Sequence, residues 1–118
     1  MPSARFESRL RVDPRRCVIE LGGQIDGGAK AALVDAYDQA AASPAILLNF
    51  SDVDYINSTG IALIVGLLAR ARADGRPLGA CGLSDHYREI FEITRLSDFM
   101  PIYPDEATAL SDEEVNRR

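Results

Sequence analysis

Pro44 and Ser51-Asp52 bracket the run Ala45-Ile46-Leu47-Leu48-Asn49-Phe50, and a second apolar stretch, Ile61 to Ala69, follows a short polar segment. These neighbouring runs constrain the fold more than any other feature. A short apolar run closed off by turn residues reads as a strand covered on both faces. The second stretch continues to Arg72 and reads as a largely buried helix beginning near Ser58. Between them lies Asp52-Val53-Asp54-Tyr55-Ile56-Asn57-Ser58-Thr59-Gly60, a strand-to-helix junction with a hydroxyl pair followed by glycine. At a helix N-terminus, free N–H groups and the positive end of the macrodipole favour an anion, so a phosphoryl group on Ser58 is physically easy to accommodate.

The rest of the chain extends the same alternation. Arg5 to Arg11 alternates apolar and charged side chains, Asp13-Pro14-Arg15-Arg16 reads as a turn, and Cys17 to Ile25 completes a hairpin. Asp26-Gly27-Gly28 opens a helix to about Ala42, with Leu33, Ala36, Tyr37, Ala40 and Ala41 on one face and Lys30, Asp35 and Asp38 on the other. Gly75 stops the second helix after Asp74, Arg76 to Gly82 is a further strand, and Ser84 caps a helix to about Arg95. Ile102-Tyr103 is a last short strand before Pro104-Asp105 opens a terminal helix. The order β-β-α-β-α-β-α-β-α implies right-handed crossovers between parallel neighbours. The expected fold is α/β: a single mixed β-sheet, with an antiparallel N-terminal hairpin plus parallel strands, and about four helices packed on it. One domain over residues 1–110, with a polar tail over 111–118, suits the length. The turns after Ile25 and after Phe50 should both emerge at the carboxyl edge of the sheet, bringing Asp26 near Ser58.

The segment Asp54-Tyr55-Ile56-Asn57-Ser58-Thr59-Gly60-Ile61 resembles the signature of the STAS-domain family, in particular its anti-sigma-factor antagonists. Leu21-Gly22-Gly23-Gln24-Ile25-Asp26 is similar to the family's motif at the end of the second strand, with Gln24 replacing the usual Glu. Arg88-Glu89-Ile90-Phe91 with Leu96, and Glu106-Ala107, match its third and last helices. Asn57 departs from the pattern, since phosphorylated members most often carry Asp there. The resemblance implies a partner switch. Unmodified, the protein would bind an ATP-binding anti-sigma factor serine kinase and free a sigma factor; phosphorylation of Ser58, alternatively Thr59, would dissociate the pair, and a PP2C-type phosphatase would reset it. Partner contacts would then come from Asp26, Asn57, Ser58, Thr59, Gly60 and Leu63. Two other readings share the fold: a non-switching STAS subunit of a lipid-transport ABC complex, or of a stress-sensing scaffold.

Composition narrows the function. A net charge of −5 argues against a direct nucleic-acid surface, which needs clustered positive charge to displace counterions. Arg5, Arg9, Arg11, Arg15 and Arg16 crowd the N-terminus but suit a solvated edge strand. No apolar run approaches the roughly 20 residues of a membrane span and no signal-peptide pattern opens the chain, so a cytoplasmic protein without membrane insertion is expected. Cys17 and Cys81 stand in separate strand-like contexts without a CxxC, and His86 is the single histidine. No metal or other cofactor is expected, and both thiols read as small buried hydrophobes.

For each site residue a structural role competes with the functional one. Ser58 and Thr59 could simply cap the second helix, and Asp26 the first. His86 reads as a solvent-facing residue. On the second helix, Ile61, Ile64, Val65 and Leu68 share one face while Leu63, Gly66 and Arg70 point the other way, leaving an apolar notch at Leu63 and Gly66 for a partner. The serine at a strand-to-helix turn resembles a hydrolase elbow, yet G-x-S-x-G and a glycine-rich phosphate loop are both absent. Ser58 therefore reads as a substrate for another enzyme, and the chain as no enzyme itself.

Overall fold

A computed structural model describes residues 5–12, 15–40 and 43–116. The expected turn at Asp13-Pro14 and the end of the first helix at Ala41-Ala42 lie outside these described residues. The elements are β1 (Glu7–Val12), β2 (Cys17–Ile25), a 3-10 turn (Gly27–Ala29) leading into α1 (Lys30–Gln39), β3 (Ile46–Ile56), α2 (Ser58–Ala73), β4 (Leu78–Cys81), α3 (Asp85–Ile93), a 3-10 turn (Leu96–Asp98), β5 (Ile102–Tyr103) and α4 (Glu106–Asn116). The five strands form one sheet in the order β1-β2-β3-β4-β5. β1 is antiparallel to β2, and every other pairing is parallel.

Strand alternation sorts the core into two layers. Cys17, Ile19, Leu21, Ile46, Leu48, Phe50, Leu78 and Ala80 face α1, α2 and α3, which bury Leu33, Tyr37, Ile64, Leu68 and Phe91 against them. Val18, Leu47 and Cys81 face the opposite side, where Ala109 of α4 covers them. Both cysteines are fully buried. Burial pushes the Cys81 thiol up to about 11, with Glu106 and Asp105 adding to the rise.

Two expectations give way to the structure. β3 does not end at Phe50. It continues to Ile56, so the turn that faces Asp26 follows Ile56. Ser51 and Asp52 are polar because β4 pairs β3 only as far as Asn49, whereas β2 keeps pairing to Ile56. A strand covered along one side needs no continuous apolar run. The register shifts twice along this extension, and β3 advances one residue more than β2 each time. Such bulges bend the strand and raise its twist. α2, moreover, is not largely buried. Gly60, Ile64, Leu67, Leu68 and Ala71 are buried, while Ala62, Val65, Gly66 and Ala69 are exposed. Val65, assigned above to the inner face, is 45% exposed. The sheet lies along one side of α2, and a helix can bury only the side that the sheet meets.

Candidate functional site

β2 and β3 end side by side, with Ile25 paired to Ile56, and each strand is followed at once by an Asx residue that caps a turn. After Ile25, the Asp26 Oδ1 accepts the Gly28 N–H at 2.9 Å and the Asp26 carbonyl accepts the Ala29 N–H at 2.9 Å. After Ile56, the Asn57 Oδ1 accepts the Gly60 N–H at 2.8 Å, and the Asn57 carbonyl accepts the Ile61 N–H at 2.9 Å. The Asn57 N–H donates to the Ile25 carbonyl at 3.2 Å, locking the two turns together. A Cβ on Gly27 would come within 3.6 Å of the Thr59 methyl. The turn of Asp26 thus abuts the start of α2, as expected of two turns that emerge at the carboxyl edge of one sheet.

These bonds reassign the capping. Asn57 is the N-cap of α2, and Ser58 is its first helical residue. Ser58 and Thr59 are both exposed, and the Ser58 hydroxyl makes no hydrogen bond among the described residues. The structural role open to the hydroxyl pair is therefore taken by its neighbour. Asp26 does take its structural role, as cap of the 3-10 turn. The first turn of α2 contains no acidic side chain, so the positive end of its dipole is not neutralised from within.

Gly60 has a steric reason. A Cβ there would lie 2.0 Å from the Ile25 carbonyl oxygen and 3.0 Å from the Ile56 Cγ2, so only glycine lets α2 approach the strand ends this closely. Leu63 is partly buried, packed against the core and on the α1 side of α2. With Gly66, Leu33, Val34 and Lys30 it lines a groove of 230 Å³ between the two helices. A Cβ on Gly66 would touch nothing within 4 Å. The notch foreseen at Leu63 and Gly66 is thus the wall of an interhelical groove, whereas the side of α2 that continues outward from Ser58 consists of Ala62, Val65 and Ala69.

Tyr87 was not singled out by its position in the sequence. Its phenol oxygen accepts the Ile56 N–H at 3.0 Å, bringing α3 to the residue before the cap. His86 is exposed and sets its ring edge-on to Tyr87, with centroids 4.8 Å apart. Among the described residues no group of His, Cys, Asp and Glu side chains is arranged to hold a metal ion, and no helix is long and apolar enough to cross a membrane.

Comparison with known proteins gives this geometry a context. Residues 7–109 match the family model described as the STAS domain. The anti-sigma-B factor antagonist of Staphylococcus aureus (strain NCTC 8325 / PS 47) is 39% identical over 57 residues, 48% of this chain and 53% of that protein. The match thus spans about half the length of that relative. The crystal structure of an anti-sigma factor antagonist from Mycobacterium paratuberculosis is similar with a TM-score of 0.80 and 22% identity, covering 93% of this chain and 97% of that one. The Bacillus cell fate determinant SpoIIAA, in its phosphorylated form, is similar with a TM-score of 0.65 and 23% identity, covering 91% and 97%. At these identities the two solved structures establish a shared fold.

Proposed function

The chain belongs to the STAS-domain family, and on that premise we propose that it is an anti-sigma-factor antagonist whose hold on its partner is switched by phosphorylation of Ser58. The observation that carries this reading is the exposed first-turn hydroxyl left unused because Asn57 caps the helix. The S. aureus relative is named an anti-sigma-B factor antagonist, and SpoIIAA has a phosphorylated form, which supports extending both properties to this chain. In the unmodified state the neutral hydroxyl and the small apolar side chains of Ala62, Val65 and Ala69 form a face against which an anti-sigma serine kinase closes. Asp26 and Thr59 border that face, and Leu63 borders it from the groove.

Phosphorylation adds about −1.5 to −2 charges at the edge of this face. Inside an interface closed around a neutral hydroxyl that charge loses its water, so the complex opens. Free in solution, the same phosphate sits at a helix N-terminus that favours it. The asymmetry makes a switch: the modification is tolerated by the free protein and rejected by the complex. About 1.4 kcal/mol of penalty weakens binding tenfold, so a few kcal/mol is enough. A PP2C-type phosphatase restores the hydroxyl.

Intact-mass analysis and peptide mapping of the protein from its native cells, under varied growth and stress, test the reading. A phosphate within Asn57-Ser58-Thr59 is expected. Its absence in every condition would replace the switch with a non-switching STAS subunit, of a lipid-transport ABC complex or of a stress-sensing scaffold, a reading to which the neutral Asn57 would then belong.

A further inference from the structure

The last stretch of β3 poses an accounting problem. Beyond Asn49 it has no β4 beside it, so the backbone groups on that edge need other partners. Two side chains replace the missing ladder. The Asn49 Oδ1 accepts the Ser51 N–H at 2.9 Å, and the Tyr87 phenol oxygen accepts the Ile56 N–H at 3.0 Å. Ile56 is 5% exposed, so without Tyr87 its amide would be left unpaired away from water.

We propose that Tyr87 is a positioning residue for the phosphoacceptor turn: through its bond to the Ile56 amide, α3 fixes the end of β3 and thereby the direction in which Ser58 is presented. This rests on the reading of Ser58 given above and names a control of that same site. Tyr87 is itself held at both ends. Its own N–H donates to the Ser84 cap at 3.3 Å, and its ring packs against the core. One turn further along α3, Phe91 meets Phe50 edge-on at 5.8 Å, so α3 grips β3 on either side of the unpaired stretch. Ile56 passes the constraint on. Its Cγ2 lies beneath Gly60, and the Asn57 that follows it carries the cap. The path from Tyr87 to the Ser58 turn is therefore one hydrogen bond, one packed side chain and one capping bond. Sequence adjacency contributes nothing to the Tyr87 end of it.

Tyr87→Phe keeps the ring and removes the acceptor. By amide hydrogen exchange on the whole chain, the variant is expected to exchange at Ile56 about tenfold faster or more, and at Gly60 several-fold faster, while Leu48 and Ala80 stay at the parent rate. In phosphorylation of Ser58 by the native anti-sigma serine kinase, kcat is expected to fall about threefold or more with KM within about twofold, because the outer face of α2 is untouched. His86→Ala should leave both measurements at parent values. Unchanged exchange at Ile56, or acceleration spread equally over Leu48 and Ala80, overturns the proposal. A phosphorylated parent with the same kcat in Tyr87→Phe also overturns it and leaves the Ser58 reading intact. A parent that the kinase does not phosphorylate overturns the Ser58 reading itself, and the positioning role with it, even where Ile56 exchange responds.

Discussion

The two turns at the ends of β2 and β3 are built alike and differ in one respect that matters. Each follows one of a pair of neighbouring strand residues, Ile25 and Ile56, and each is capped by an Asx oxygen bonded to a glycine amide. After β2 the cap is the charged Asp26, and the turn is a three-residue 3-10 segment with Gly-Gly at its start. After β3 the cap is the neutral Asn57, heading a sixteen-residue helix with two hydroxyls in its first turn. A carboxylate already answers the free amides of the first turn. The second leaves the positive end of a long helix without an acidic side chain in its first turn, which is the condition the proposed phosphorylation switch needs.

The largest expected effect breaks the likeness between the two turns. Gly60→Ala puts a methyl 2.0 Å from the Ile25 carbonyl oxygen, a backbone atom that cannot swing away. The cost should be about 3 kcal/mol or more, outweighing the ~1 kcal/mol gained in helix propensity. Gly27→Ala meets only ordinary contact, with the Thr59 methyl at 3.6 Å, and should stay within about 0.5 kcal/mol of the parent. Denaturant melts decide this, and equal losses would mean that close approach is not what selects glycine at position 60.

Charge at the second turn gives the next effect. Ser58→Asp should weaken the complex with the anti-sigma kinase by about tenfold or more, near 1.4 kcal/mol, whereas Ser58→Ala should bind as well as the parent or better. Calorimetry on purified pairs reads the difference. Equal affinities for the two variants would show that charge here does not govern partner choice.

Removing the caps themselves sharpens the comparison. Asn57→Ala should cost about 1 kcal/mol, since it opens the N-terminus of a long packed helix, and Asp26→Ala less, because its turn spans three residues. A larger loss at Asp26 would reverse the assignment of which turn is structurally loaded. Asn57→Asp should be smaller still, within about 0.5 kcal/mol, because both residues cap a helix similarly. Phosphorylation should persist in it. A time course in which only the Asp variant takes phosphate would identify Asn57 as the mark of a lost switch.

A third Asx cap offers the mildest test. The Asp105 Oδ1 accepts the Thr108 N–H at 2.8 Å, and the Thr108 amide and hydroxyl hold its carboxyl below the usual value of 3.8. The folded pKa is depressed, so the stabilisation is present above pH 3.8 and lost as pH falls through the lower folded value. An NMR titration should show the Thr108 amide shifting only below the ordinary aspartate range. Titration at the ordinary value would mean that the cap bond does not persist in solution.

The alternation of short apolar runs with helical patterns was enough to order the elements, because an apolar run bounded by Pro, Gly or Asp signals a buried element from local chemistry alone. The strand Cys17–Ile25, the Ser84 cap and the brief Ile102–Tyr103 strand fall where the residues point. The Asn57-Ser58-Thr59-Gly60 junction was legible for the same reason, since capping residues and glycine act on their own backbone. Local patterns carried less about which side of an element meets another. Val65 reads as core from helical spacing and lies exposed because no described element covers that side of α2. Ser51 to Ile56 reads as a loop and is a strand because β2 continues beside it after β4 has stopped. By itself, then, the sequence determined the order of strands and helices and the chemistry of the Ser58 turn, both products of interactions within a few residues. Only the tertiary structure decided that Asn57 rather than Ser58 caps α2, that Gly60 answers to the Ile25 carbonyl, and that Tyr87 holds the Ile56 amide. Each of the last two depends on atoms more than thirty residues apart in the chain meeting at hydrogen-bond or contact distance, and no local pattern encodes such a meeting.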